Sequence, residues 1–246
     1  MRAALCILLL GLLATAACDR QAPLPAHADG QSPPPGQRSD YLALGDSYTI
    51  GEGVRPDQRM PNQLTRALLD RHIDLGHATI IAQTGWTTQQ LDAAIQRSHL
   101  TTEHHPFGLV TLLIGVNDQF MGNDPATFAI DLKPVVAKAI QLAGDDPQRV
   151  LLISIPDYGQ SPMGQQGSPE QIAEAIDRFN EVIQTEAAAS GTGFVNITDI
   201  SRQHPPGSTM FADDGLHPSP EQYTLWVDQL IPDVLNALQG AKRQAP

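Results

Sequence analysis

The chain is short of cysteine and of positive charge and has no long hydrophobic run, and each shortage removes a class of protein. Only Cys6 and Cys18 occur in 246 residues. If Cys6 leaves with an N-terminal segment, no internal disulfide can form, so a disulfide-stapled scaffold is excluded and a buried core must hold the fold. Fifteen Lys and Arg stand against 27 Asp and Glu, a formal net charge of −12. A surface that acidic repels phosphate backbones, which argues against a nucleic-acid partner. The apolar stretch Ala3 to Leu13 is shorter than the roughly 20 residues a membrane-spanning helix needs. Phosphate-loop and His-Glu-x-x-His patterns are missing. So is Gly-x-Ser-x-Gly, because Gly159-Gln160-Ser161-Pro162-Met163-Gly164 has one residue too many.

What stands at the N-terminus has the form of an export signal over residues 1–17: Arg2, the apolar stretch, then the small residues Ala14-Thr15-Ala16-Ala17. Thr15-Ala16-Ala17-Cys18 resembles the bacterial lipobox, whose cysteine is lipid-modified and becomes the first mature residue; that pattern prefers Leu where Thr15 stands. The resemblance implies a lipid anchor on Cys18 and a place on the periplasmic face of a bacterial membrane. Asp19, next in the chain, resembles a signal for retention in the inner membrane. Ordinary cleavage at Ala14-x-Ala16 is the alternative; it leaves Cys18 a free thiol and the protein soluble in the periplasm or secreted. Residues 18–39 carry five prolines and two glycines with almost no large apolar side chain, the composition of an extended tether.

From Asp40 onward short Val/Ile/Leu-rich runs alternate with helical patterns. Strands are expected at Tyr41–Leu44, Ala78–Ala82, Phe107–Ile114, Val150–Ile155 and Gly193–Ile197. Helices are expected at Pro61–Arg71, Thr88–Ser98, Pro125–Ala143, Pro169–Ser190 and Pro220–Leu238. Several helices begin at or near a proline, whose missing N–H costs nothing in a first turn. Continuous apolar strands separated by helices predict an α/β fold in three layers, with a five-stranded parallel sheet covered on both faces. The expected domain is 40–240, followed by a tail at 241–246.

Ligand crevices in such sheets lie at the carboxyl ends of the strands. Ser47 follows the first strand, Gly85 the second and Asn117 the third, while Asp214 and His217 precede the last helix. A serine hydroxyl is a poor nucleophile unless a base takes its proton, and the base needs a third group to hold its tautomer. Asp214-Gly215-Leu216-His217 can fold the carboxylate back onto the imidazole; Asp213 is the competing carboxylate, one residue further away. Asn117 could donate to an oxyanion, and Gly85 lets a substrate approach its backbone N–H. Each piece also has a plainer reading: a capping Asp46 or Ser47, a histidine beside Pro218, and turn chemistry for Gly85 and Asn117. Asp118 is expected to brace its loop. Trp86 could line an acyl pocket or be core, and the loop from Pro156 to Gly167 could shape the substrate mouth. Glu103-His104-His105 reads as a solvated loop, so no metal and no cofactor is expected.

Gly45-Asp46-Ser47-Tyr48, Gly85, Gly115-Val116-Asn117-Asp118 and Asp214-Gly215-Leu216-His217 together resemble, in order, the four sequence blocks of the SGNH (GDSL-type) hydrolases. The likeness runs from about Tyr41 to Leu238. Tyr48 replaces the usual Leu, and no Asn precedes Gly85. The resemblance implies a flavodoxin-like sheet and an acyl-enzyme mechanism: Ser47 as nucleophile, Asp214 and His217 completing the triad, and Ser47, Gly85 and Asn117 forming the oxyanion hole. It implies a small-molecule ester as substrate, simple esters, lysophospholipids, thioesters and acetylated sugars all being open. A compact chain with no obvious lid suggests small or short acyl groups, and a monomer is expected. An envelope acyltransferase using the same triad and a non-catalytic binding lipoprotein are the competing readings.

Overall fold

A computed structural model describes residues 40–100, 106–204 and 209–244, with side chains to Gln239. The expected signal peptide, the tether with Cys18, and His104 and His105 lie outside these residues.

Five strands form one sheet: β1 (Tyr41–Gly45), β2 (Ala78–Ala82), β3 (Leu109–Leu113), β4 (Val150–Ile153) and β5 (Gly193–Val195). Their order is β2-β1-β3-β4-β5 and every neighbouring pair is parallel. β1, β3 and β4 are buried along their whole length, as continuous apolar strands between two helix layers must be. Among the described residues eight helices connect and cover them: α1 (Ser47–Ile50), α2 (Met60–Leu69), α3 (Thr88–Arg97), α4 (Val116–Phe120), α5 (Pro125–Leu142), α6 (Pro169–Ser190), α7 (Thr198–Arg202) and α8 (Pro220–Gln244). α2 packs against α8, while α5 packs against both α3 and α6, which makes the two outer layers. Among the described residues no helix is long and apolar enough to cross a membrane.

Most boundaries fall within two or three residues of expectation. β3 is shorter than Phe107–Ile114 because Phe107 N–H turns aside to the carbonyl of Leu142, 3.0 Å away, and does not join the ladder. α8 continues through 241–244, so the expected tail at 241–246 is largely helical. Three short helices, α1, α4 and α7, join the five expected long ones.

Register matters most for the site. Gly45 is level with Ala82 on one side and with Leu113 on the other, so β2, β1 and β3 end on one line. The chain leaves β1 toward β2 on one side and later returns to β3 on the other. That reversal opens a crevice at the carboxyl ends of β1 and β3.

Candidate active site

Ser47 is the first residue of α1, two positions beyond the end of β1, and only 5% of its surface is exposed. The turn that presents it is tight. A methyl group at Gly45 would collide with the Leu113 carbonyl and the Thr49 side chain, so no larger residue fits there. Asp46 caps the helix: its Oδ1 accepts from Tyr48 N–H at 3.0 Å, and its backbone carbonyl accepts from Thr49 and Ile50. Tyr223 of α8 donates its hydroxyl to the Tyr48 carbonyl at 3.0 Å, pinning the turn from behind. At this first helical position the Ser47 N–H has no partner within its own helix.

The loop after β2 places Gly85 at φ +83°, in a turn closed by Trp86 N–H to the Gln83 carbonyl. A side chain there would meet nothing within 4 Å, so glycine is required by the backbone and leaves open space in front of it. Asn117, on α4 beyond β3, donates its amide to the Trp86 carbonyl at 2.9 Å. That bond fixes the amide beside the Gly85 turn and leaves its second N–H to donate elsewhere. Asp118 accepts from the N–H and the hydroxyl of Thr88, at 2.9 and 3.0 Å, and so ties this loop to the start of α3, as its bracing role requires. Burial raises the Asp118 carboxyl above the usual range, against the pull of the Thr88 hydrogen bonds.

Asp214 and His217 meet within one turn. The His217 ring Nδ1 is 2.6 Å from Asp214 Oδ2, and Asp214 Oδ1 accepts from the N–H groups of Leu216 and His217 at 2.9 Å each. Gly215 makes the turn possible at φ +69°. Burial pushes the Asp214 carboxyl up, but the hydrogen bonds from the His217 ring and from the two backbone N–H groups outweigh it and hold the group below its ordinary value. The carboxylate engages Nδ1, which leaves Nε2 free. This turn lies against the Ser47 turn: the Tyr48 ring stands edge-on to the His217 ring, centroids 5.9 Å apart. A Cβ at Gly53 would lie 3.2 Å from Asp214 Oδ2. Residues from both ends of the domain therefore converge at one edge of the sheet.

A family model for GDSL-like lipases and acylhydrolases matches residues 43–225, which contain every one of these groups. The chain belongs to that GDSL-like lipase/acylhydrolase family. It is a serine hydrolase that acts on ester bonds. No match is found among curated protein sequences. The fold is shared with solved structures. The lipase/acylhydrolase from Enterococcus faecalis is 22% identical with a TM-score of 0.62, covering 80% of this chain and 95% of that one. The psychrotrophic esterase EstA from Pseudoalteromonas sp., solved inhibited by monoethylphosphonate, is 18% identical with a TM-score of 0.59, covering 81% and 98%. The SGNH-hydrolase family esterase AlinE4 is 22% identical with a TM-score of 0.56, covering 82% and 98%. At such identities the likeness establishes the fold.

Around the crevice of this GDSL-type hydrolase, the loop from Pro156 to Gly167 seats itself on the His217 turn. Met163 N–H donates to the Gly215 carbonyl at 2.9 Å, and Pro162 lies 3.4 Å from where a Gly215 Cβ would stand. Tyr158 in the same loop donates to Gln119 of α4 at 3.0 Å and stands edge-on to Phe120. Phe120, Met121 and Met163 are exposed along this lip. Trp86 is half-buried and packs against the core. The sequence already offers Trp86 as a pocket wall and the loop carrying Tyr158 as a shaper of the mouth, whereas the bond from Tyr223 to the Tyr48 carbonyl has no sequence signal. Asp213 does not pair with His217. An open cavity of about 600 Å³ lies between α6, β5 and α7, and none of the five expected site residues lines it.

Proposed function

We propose that Ser47 is the nucleophile, His217 its general base, and Asp214 the group that fixes the base. The N–H groups of Ser47 and Gly85 and the free amide N–H of Asn117 would receive the oxyanion. One observation carries this reading: the imidazole held at 2.6 Å by Asp214 packs its ring against the residue next to Ser47. The chemistry follows from those positions. Ser47 Oγ attacks the ester carbonyl as its proton passes to His217 Nε2, and the carbonyl oxygen becomes an anion within the donor set. Collapse expels the alcohol, which takes the proton from His217, and leaves an ester on Ser47. Water then gives a proton to His217 and attacks that ester, which releases the acid and restores the serine.

We infer carboxylic esters of small or short acyl groups as substrates. The exposed Phe120, Met121 and Met163 offer apolar surface for the acyl portion at the lip. The side chain of Asp214 is 36% exposed, so water reaches the site, which favours hydrolysis over acyl transfer to another hydroxyl. Export follows on this reading from the signal-like residues 1–17, with Cys18 carrying a lipid and residues 18–39 as tether. Ser47→Ala is the direct trial: it should fold with unchanged thermal midpoint and hydrolyse nitrophenyl acetate no faster than buffer. Turnover near the wild-type rate would refute the assignment. Mass measurement of the mature N-terminus tests the lipid, since an unmodified terminus other than Cys18 would remove the anchor.

A further inference from the structure

The acid beside the nucleophile has no part in the triad, yet its surroundings are unusual. Asp46 is fully buried between the end of β1 and α1. Its Oδ1 is occupied by Tyr48 N–H, while Oδ2 is buried with no hydrogen-bond partner. Among the described residues no cation pairs with it. The titratable groups that face it are Asp118 from α4, Tyr48 of its own turn and Tyr223 from α8. Two of these are phenols whose burial keeps them neutral, and the third is another acid.

We propose that Asp46 is the positioning residue of the nucleophile turn and works in its neutral, protonated form. The geometry supports the neutral form. An ionised carboxylate would leave half its charge on an oxygen without a donor, which buried sites tolerate poorly. The nearest acid, Asp118, opposes a second negative charge. Burial first, then Asp118, push the Asp46 carboxyl up to about 8, against the pull of Tyr48 N–H. The consequence concerns the reaction, so it rests on the assignment of Ser47 above. The Ser47 N–H that would receive the oxyanion follows Asp46 directly in the chain. A charge on Asp46 would oppose the charge that forms there. The neutral acid keeps the cap on Tyr48 N–H without that opposition. Activity then falls on the alkaline side as Asp46 releases its proton.

Asp46→Asn tests this, because the amide oxygen can keep the Tyr48 N–H bond but carries no proton to lose. The expected result is a kcat within about threefold of wild type at about pH 6 and loss of the alkaline limb of kcat/KM, with the acid limb unchanged. Asp46→Ala, which removes the cap, should lower kcat about tenfold or more while KM changes little. A profile for Asp46→Asn that superimposes on wild type through the alkaline limb overturns the proposal. A second measurement needs no catalysis. The folded chain holds a proton that the unfolded chain releases above the ordinary carboxylate value. Wild-type stability therefore declines as pH rises from about 4 to about 8, and Asp46→Asn escapes that part of the decline. The thermal midpoint of the variant should gain on that of wild type across this range. A constant difference overturns the neutral form even if Ser47 proves not to be the nucleophile, and a widening one keeps it even then.

Discussion

The ring of Tyr48 stands edge-on to the ring of His217 with centroids 5.9 Å apart, joining residues 169 positions distant in the chain. Tyr48 is therefore both the neighbour of Ser47, the proposed nucleophile, and a wall for the imidazole. This explains how a site assembled from four separate loops holds one geometry. The Tyr48 backbone is itself fixed at both groups, its N–H by Asp46 and its carbonyl by Tyr223.

Removing the hydroxyl of Tyr223 should be felt at that turn. Tyr223→Phe leaves the buried Tyr48 carbonyl without a donor. A stability loss of about 1–3 kcal/mol is expected, the cost of an unsatisfied buried polar group. Urea denaturation at constant m-value measures it, and a change below about 0.5 kcal/mol would mean that the bond does not hold the turn.

Asn117→Ala should strike the chemical step. Loss of one oxyanion donor costs about 10²–10³ in kcat, or roughly 3–4 kcal/mol, with little change in KM. The same substitution frees the Trp86 carbonyl. A small fall in thermal midpoint should accompany the loss of turnover. An effect confined to KM would show that Asn117 serves substrate binding alone.

Gly45→Ala is predicted to be severe although it adds one methyl. The new atom would meet the Leu113 backbone carbonyl and the Thr49 side chain, and a strand carbonyl in the middle of a sheet cannot step aside. Overpacking of this kind costs about 1–3 kcal/mol or more. The thermal midpoint should drop and any residual fold should turn over slowly. Gly122→Ala is the control for added bulk, since open space surrounds that position, though its φ of +84° still exacts strain.

The acid side of the stability curve carries the signature of Asp214. Its carboxyl is held below the ordinary value in the folded chain, so its stabilising effect is full above the unfolded value and disappears as pH falls through the folded one. The difference in urea midpoint between wild type and Asp214→Asn should be greatest near neutrality and shrink below about pH 4. Activity behaves differently: with the imidazole no longer held through Nδ1, Asp214→Asn should be nearly inactive at every pH.

The strands and long helices could be read from the sequence because each repeats one pattern over enough residues. β2 and α6 fall on their expected limits, Ala78–Ala82 and Pro169–Ser190. At α1 the sequence offered no more than a capping residue, and α4 and α7 could not be read, since four or five residues span barely one helical turn, too few to show a repeat, and owe their form to the tertiary contacts around them. The same divide runs through the site. The Asp214–His217 turn is local, and its spacing announced it. The bond from Asn117 to the Trp86 carbonyl joins two loops through backbone geometry, and a carbonyl has no letter in the sequence. Tyr223 likewise acts on a backbone carbonyl, that of Tyr48, and nothing in the sequence marks the pair.

The central claim is that the hydroxyl of Ser47 is activated by His217. It is tested most directly by treating the folded protein with a fluorophosphonate and locating the adduct by peptide mass mapping, in wild type and in His217→Ala. The account predicts a single adduct on Ser47 in wild type and labelling slowed by about 10³-fold or more in the variant. An adduct on another residue, or Ser47 labelled at the same rate without the imidazole, would contradict it.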